Sequence, residues 1–150
     1  MIEWQWSDLE QFTPRQLYAV AAARIEVFVV EQNCVYQELD GLDLGARHLT
    51  GWSGGNVAAY LRVLCPDTRF AEPSIGRIIT TRPFRGTGAG RKLVALGLEE
   101  AERLYPAQAI RISAQAHLQR FYGEFGFVTD SAEYLEDGIP HVEMLRAPRG

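Results

Sequence analysis

Ile75-Gly76-Arg77-Ile78-Ile79-Thr80-Thr81 is followed, three residues on, by Arg85-Gly86-Thr87-Gly88-Ala89-Gly90-Arg91-Lys92. The first run is apolar and β-branched, as in a strand, and Gly76 within it hints at a bulge or a close backbone contact. The second has three glycines in five residues, just where a helical pattern begins. Positions without a Cβ turn tightly and let a ligand come close to the main chain. The helix start adds unpaired N–H groups and the positive end of a dipole. Arg85, Arg91 and Lys92 add full charge, so the stretch reads as a seat for phosphate.

Leu93, Val94, Leu96, Gly97, Ala101 and Leu104 fall on one helical face that ends before Pro106, and Ala109 to Ala114 is a short buried strand. Strand, glycine loop, helix and strand imply a right-handed crossover between parallel strands, hence an α/β layer fold. Antiparallel hairpins should flank it. His48 to Trp52 and Asn56 to Leu64 read as strands around Ser53-Gly54-Gly55, and Phe127 to Leu135 with His141 to Arg146 as a hairpin around residues 136–140. Ile2, Trp4 and Trp6 alternate like a half-buried first strand. Thr13-Pro14-Arg15-Gln16 starts a helix, with Thr13 as cap and Gln16 closing a capping box. Leu17, Val20, Ala21, Arg24, Val27 and Phe28 share its face. Arg24 on that stripe either lies at its edge with a buried stem or reaches into a site. Leu118, Phe121, Tyr122 and Phe125 mark a short amphipathic helix stopped by Gly126.

The chain of 150 residues reads as one domain, residues 1–150, with no linker or repeat. No apolar run approaches the roughly 20 residues of a membrane span. The first six residues show neither a basic nor an apolar leader region, so Cys34 and Cys65 are expected as reduced thiols in a cytoplasmic protein. The net charge of −4 argues against nucleic acid as a partner. Five of the 15 basic residues nevertheless fall within positions 77–92, where no acidic residue occurs. Such a local patch suits a small polyanion. Residues 31–47 form a long segment with little periodicity, four carboxylates and several apolar anchors. Segments of that length are generally functional or disordered, and the anchors favour order. It reads either as a solvated acidic loop or as a wall that attracts a cationic amine.

Two familiar phosphate loops are excluded by spacing. Arg91 stands where a P-loop needs its second glycine, and also where a dinucleotide fingerprint needs glycine or alanine. What remains is Arg-x-x-Gly-x-Gly at Arg85, Gly88 and Gly90, which resembles the pyrophosphate loop of the GNAT acyl-CoA N-acetyltransferases. Phe121-Tyr122-Gly123-Glu124-Phe125-Gly126-Phe127 resembles that superfamily's Phe/Leu-Tyr-x-x-x-Gly-Phe motif. Ile78-Ile79-Thr80 occupies the strand position that pairs with pantetheine. Residues 24–34, Ile75-Gly76-Arg77, Ala114 to Gln119 and Glu136 to His141 are similar to the small ElaA-type branch. Gln115 and Leu118 depart from the broader pattern, which has Asn and Ala before the tyrosine, and Pro83 sits one position late.

The resemblance implies a mixed central sheet, antiparallel hairpins flanking a parallel pair, with helices on both faces. It implies acetyl-CoA as the cofactor, CoA as product, no metal, and direct attack on the thioester by a primary amine, small molecule or peptide. It casts Tyr122 as the acid that protonates the leaving sulfur. Ile78, Ile79, Thr80, Arg85, Gly86, Thr87, Gly88, Ala89, Gly90, Arg91, Gln115, Leu118, Phe121 and Tyr122 become the cofactor contacts. The base is open: His117 is titratable near neutrality and lies five residues before Tyr122. Glu31, Glu38, Asp40, His48 and His141 are also conceivable, as is a water relay. Glu31, Glu38, Asp40 and Arg77 are candidates to line an acceptor pocket, Arg77 through an acid of the 31–43 segment. A CoA-binding sensor or partner-binding protein on the same fold is the alternative, and free strand edges admit a homodimer.

Overall fold

The computed structural model describes residues 1–149. Eight strands form one sheet: β1 Glu3–Ser7, β2 Arg47–Ser53, β3 Asn56–Leu64, β4 Ser74–Thr80, β5 Ile110–Gln115, β6 Phe127–Thr129, β7 Tyr134–Glu136 and β8 Ile139–Arg146. Their order is β1-β2-β3-β4-β5-β8-β6, with β7 also on β8. Among the described residues only β4 and β5 run parallel; every other pair is antiparallel. Three α-helices accompany them: α1 Pro14–Ile25, α2 Ala89–Leu104 and α3 Gln119–Gly123. The expected mixed sheet, with the glycine loop and α2 between the parallel strands, is what the chain forms.

The capping box at α1 is present in both directions: Gln16 N donates to Thr13 Oγ1 (3.1 Å) and Thr13 N to Gln16 Oε1 (3.0 Å). A π-helical turn, Glu26–Glu31, continues the helix. Alternation along β3 assigns a face to each helix. Ala59, Leu61 and Val63 pack with Leu93, Val94 and Leu98 of α2. Tyr60 turns the other way, toward Val20 of α1. Helix and sheet approach closely at Gly97, where a Cβ would stand 2.7 Å from Leu61 Cδ2.

The hint of irregularity at Gly76 is realised one residue later. Register passes from Arg62↔Gly76 to Tyr60↔Ile79, so Arg77 and Ile78 together face Leu61. Arg77 takes a positive φ of 53° to make this β-bulge. The extra residue reverses the alternation. Ile75 therefore joins the α2 core and Ile79 the α1 core.

The last hairpin differs from the expectation of one strand over 127–135. β6 stops at Thr129, because Asp130 N donates to Glu143 O (2.8 Å) and Glu143 N donates to Ser131 Oγ (2.9 Å). The chain leaves the sheet there and rejoins it as β7. The turn is also tighter than 136–140. Asp137 and Gly138 alone make it, both at positive φ (52° and 78°), in keeping with the right-handed strand twist.

Candidate active site

Parallel strands β4 and β5 are in register only at Ser74↔Arg111. Beyond that pair they part, and the β5-side edge of β4 is left without a strand. The gap opens into a cleft of about 340 Å³. Ile75 to Ile78 form one wall and Ile112 to Gln115 the other; Leu118 and Tyr122 close it on the α3 side. Phe28, Tyr36 and Asp40 approach from the segment after α1, and Glu136, Asp137 and His141 from the β7–β8 hairpin.

The glycine loop lies at the C-terminal end of β4. Gly86 and Gly88 have φ of 76° and 87°, and nothing lies within 4 Å of a Cβ built on either. A side chain would be strained there, yet the space above the backbone is open. The first N–H groups of α2 have no intrahelical partner, and no side chain at Gly88 caps them. Gly90 lies against Thr80, its built Cβ 3.4 Å from Oγ1. Arg85 donates to Thr80 O (2.9 Å) and Glu31 (2.6 Å), Arg82 to Glu31 (3.1 Å), and Arg91 pairs with Glu124 (2.5 Å). Arg85 and Arg82 hold the Glu31 carboxyl below its ordinary range. Arg91 also lies over the Phe121 ring at 5.6 Å. Thr87 Oγ1 donates to Phe84 O (2.5 Å), and Ala89 packs inward.

Tyr122 is buried with the α2 core, edge-on to Phe121 and Phe127. Burial alone pushes its phenol up to about 12, so it stays protonated through the physiological range. His117 is exposed and does not line the cleft, because the short 3-10 turn Ala116–Leu118 directs Leu118 inward instead.

The 31–47 segment is not a free acidic wall. Glu38 accepts from Arg24 Nε (2.8 Å) and Arg77 Nε (2.8 Å). Asp40 accepts from both Arg62 terminal nitrogens (2.8 and 2.6 Å) and from Arg77 (3.2 Å). Asp43 binds Arg24 (2.8 Å) and Arg62 (3.0 Å). Three carboxylates thus face three guanidinium groups, and Tyr36 donates to Glu38 as well. Arg24 does not lie at the edge of its stripe; it is buried at the centre of this cluster, over the Tyr60 ring. Burial would raise Asp40 and Asp43, but Arg62 for the first and Arg24 for the second outweigh it and hold both below the carboxylate range. Neither Arg62 nor Asp43 was singled out from the sequence, although an arginine between Leu61 and Val63 in an apolar strand is a signal of buried pairing. Cys34 is buried, Cys65 is exposed, and they are unpaired. Among the described residues no helix is long and apolar enough to cross a membrane.

The family model described as an acetyltransferase (GNAT) domain matches residues 9–147. Protein ElaA of Escherichia coli is 43% identical over 148 residues, covering 97% of each chain. A UPF0039 protein of Synechocystis is 43% identical over 145 residues, 96% of this chain and 94% of its own. An acyl-CoA N-acyltransferase from Pseudomonas aeruginosa, solved as a crystal structure, superposes with a TM-score of 0.93 at 45% identity, over 98% of this chain and all of the other. The crystal structure of E. coli ElaA gives 0.92 at 42%, over 97% and 99%.

Proposed function

The chain belongs to the GNAT acetyltransferase family, on its ElaA-type branch, and from that premise we propose that it is an acetyl-CoA-dependent N-acetyltransferase acting on a primary amine. Residues 1–150 would act as one such domain, in the cytoplasm. The observation that carries the reading is the parting of β4 and β5 after one registered pair, with a bare amide loop at one end and a buried phenol at its side.

The residues fit the coenzyme. Gly86 and Gly88 leave an open cradle of backbone, and the uncapped start of α2 adds N–H groups and a dipole suited to a pyrophosphate. Arg85 and Arg91 carry charge at the same place on exposed side chains. The unpaired edge of β4 at Ile78, Ile79 and Thr80 offers backbone groups to an extended amide-bearing arm, as an added strand would. Gln115, Leu118 and Phe121 flank it. Acetyl-CoA, when bound, supplies an acyl group activated as a thioester.

Tyr122 serves as the acid. Its phenol is protonated at neutral pH and gives a proton or hydrogen bond to the departing sulfur. The arginine–carboxylate cluster holds Asp40 and Arg77 in the wall where an acceptor enters, so Arg77 shapes the pocket through Glu38 and Asp40. The amine reaches the thioester in a ternary complex, and orientation in the closed cleft supplies much of the rate.

Thiol release from acetyl-CoA, measured with spermidine, kanamycin, glycinamide and an alanine-initiated peptide, tests the reading. We expect turnover with at least one amine. Tyr122→Phe should lower kcat about a hundredfold or more while acetyl-CoA affinity stays within about twofold. Equal turnover in the variant would remove the role of the phenol.

A further inference from the structure

We propose that His141 is the general base that takes the proton of the incoming ammonium, held in position by the Ile139 carbonyl and backed by Glu136. The inference rests on the acyl-transfer reading above and names the group that reading lacks.

The sheet separates the two proton-transfer roles. Along β8, Val142 and Met144 belong to the core that contains Tyr122. Alternation turns His141 to the opposite face. There its ring stacks on Tyr134, with centroids 6.1 Å apart and planes 25° from parallel. Tyr134 is itself tied to Ser113 Oγ (2.5 Å). Both Tyr122 and His141 nevertheless line the same cleft, because the strands have parted between the two faces. Acyl transfer needs that separation: the acid belongs beside the leaving sulfur, the base beside the entering nitrogen.

The ring is oriented for the task. Nδ1 donates to Ile139 O at 2.7 Å, which leaves the lone pair of the neutral ring on Nε2. Nε2 lies 3.5 Å from Glu136 Oε2, and Arg69 fixes the other oxygen of that carboxylate at 2.6 Å. A ring that has taken a proton therefore finds a counter-charge already in place.

The competing groups are occupied or misplaced. His48 has both nitrogens engaged, at 2.5 Å by the Tyr60 hydroxyl and at 3.0 Å by the Asp43 carbonyl, and it does not line the cleft. His117 is exposed outside it. Asp40 is bound by two arginines. Around His141 the charged and titratable groups are Glu136 and Tyr134 on β7, Asp137 in the turn, Arg69 behind Glu136, Glu143 two residues on along β8, and Cys34 and Tyr36 beside Asp137 in the cleft. Its partner on β5, Gln115, is neutral.

The step balances. The ammonium gives one proton to Nε2, forming imidazolium and neutral amine. The nitrogen lone pair forms the C–N bond as the C–S bond breaks, the sulfur keeping that electron pair. Tyr122 gives the sulfur its proton; solvent takes the proton shed by the new amide nitrogen and returns one to the phenolate, and His141 gives its own to solvent.

Two measurements test this. In nitrogen-15 NMR of the free protein, the neutral ring of His141 should be the Nδ1–H tautomer; an Nε2–H tautomer would overturn the assignment. Glu136→Gln, which removes the carboxylate 3.5 Å from Nε2, should slide the acidic limb of kcat/KM to lower pH; a limb that stays put counts against it. The limb is read with two amines of different basicity, so the acceptor's own titration is recognised. His141→Gln should cut kcat about 10²–10⁴-fold and abolish the limb, with acetyl-CoA affinity unchanged. Unchanged turnover and an unchanged limb would defeat it. If His141→Gln unfolds, the Glu136→Gln shift decides. Failure of the wild type to bind acetyl-CoA would defeat the acyltransferase reading instead, a different result from any of these.

Discussion

Two groups of three arginines, one around the glycine loop and one packed under the 31–47 segment, are built in opposite ways. Arg82, Arg85 and Arg91, around the glycine loop, have side chains 72%, 44% and 60% exposed and pair with Glu31 and Glu124. Arg24, Arg62 and Arg77, under the 31–47 segment, are 3%, 1% and 15% exposed and interlock with Glu38, Asp40 and Asp43. An exposed pair is worth about 0–1 kcal/mol and exchanges its partner readily. A buried pair adds little net stability over an apolar replacement, yet removing one member leaves a stranded charge. The first group can therefore turn to a ligand. The second fixes the wall against which a ligand is placed.

The largest effect should come from the buried group. Arg62→Met strands Asp40 and Asp43 in part, and we expect a loss of about 3–5 kcal/mol in denaturant unfolding. A loss below about 1 kcal/mol would place this cluster with the exposed one. Next, Gly88→Asp puts a side chain at φ 87° and a carboxylate on the loop. Acetyl-CoA affinity by calorimetry should fall about a hundredfold or more, from strain and like-charge repulsion together. Unchanged affinity would sever the glycine loop from the coenzyme.

The buried cluster also sets an acid limit. Asp40 and Asp43 have folded pKa values below their unfolded ones, so their contribution is complete above the unfolded value of about 3.9 and is lost as pH falls below it. His48, its pKa lowered by burial, adds an earlier loss as pH drops below about 6.5. Tm should decline gently from pH 7 to 5 and steeply below 4, and the steep part should flatten in Arg62→Met. The smallest effect belongs to Arg85→Ala: stability within about 0.5 kcal/mol, and acetyl-CoA affinity down severalfold at low salt, less at high salt.

The same contrast explains what could be read from the sequence. The glycine loop is local: Arg85 to Lys92 are consecutive, and their spacing alone excludes two other phosphate loops. Thr13 and Gln16 likewise announce a helix within four residues. The buried cluster joins residues 14 to 39 positions apart, from Arg24–Glu38 to Arg77–Glu38, and no local pattern reports which acid meets which base. Proximity along the chain also misdirects. His117 precedes Tyr122 by five residues yet faces solvent, whereas His141 reaches the cleft through strand pairing with Gln115. The bulge lay between: Gly76 marked the neighbourhood, but the residue that takes positive φ is Arg77, held by Glu38 and Asp40.

A crystal structure with acetyl-CoA bound is the most direct test. Pyrophosphate oxygens should lie within about 3 Å of backbone N–H groups between Gly86 and Arg91, and the sulfur within hydrogen-bonding reach of the Tyr122 hydroxyl. Coenzyme lying elsewhere, or a sulfur out of reach of that phenol, would contradict the acyl-transfer reading.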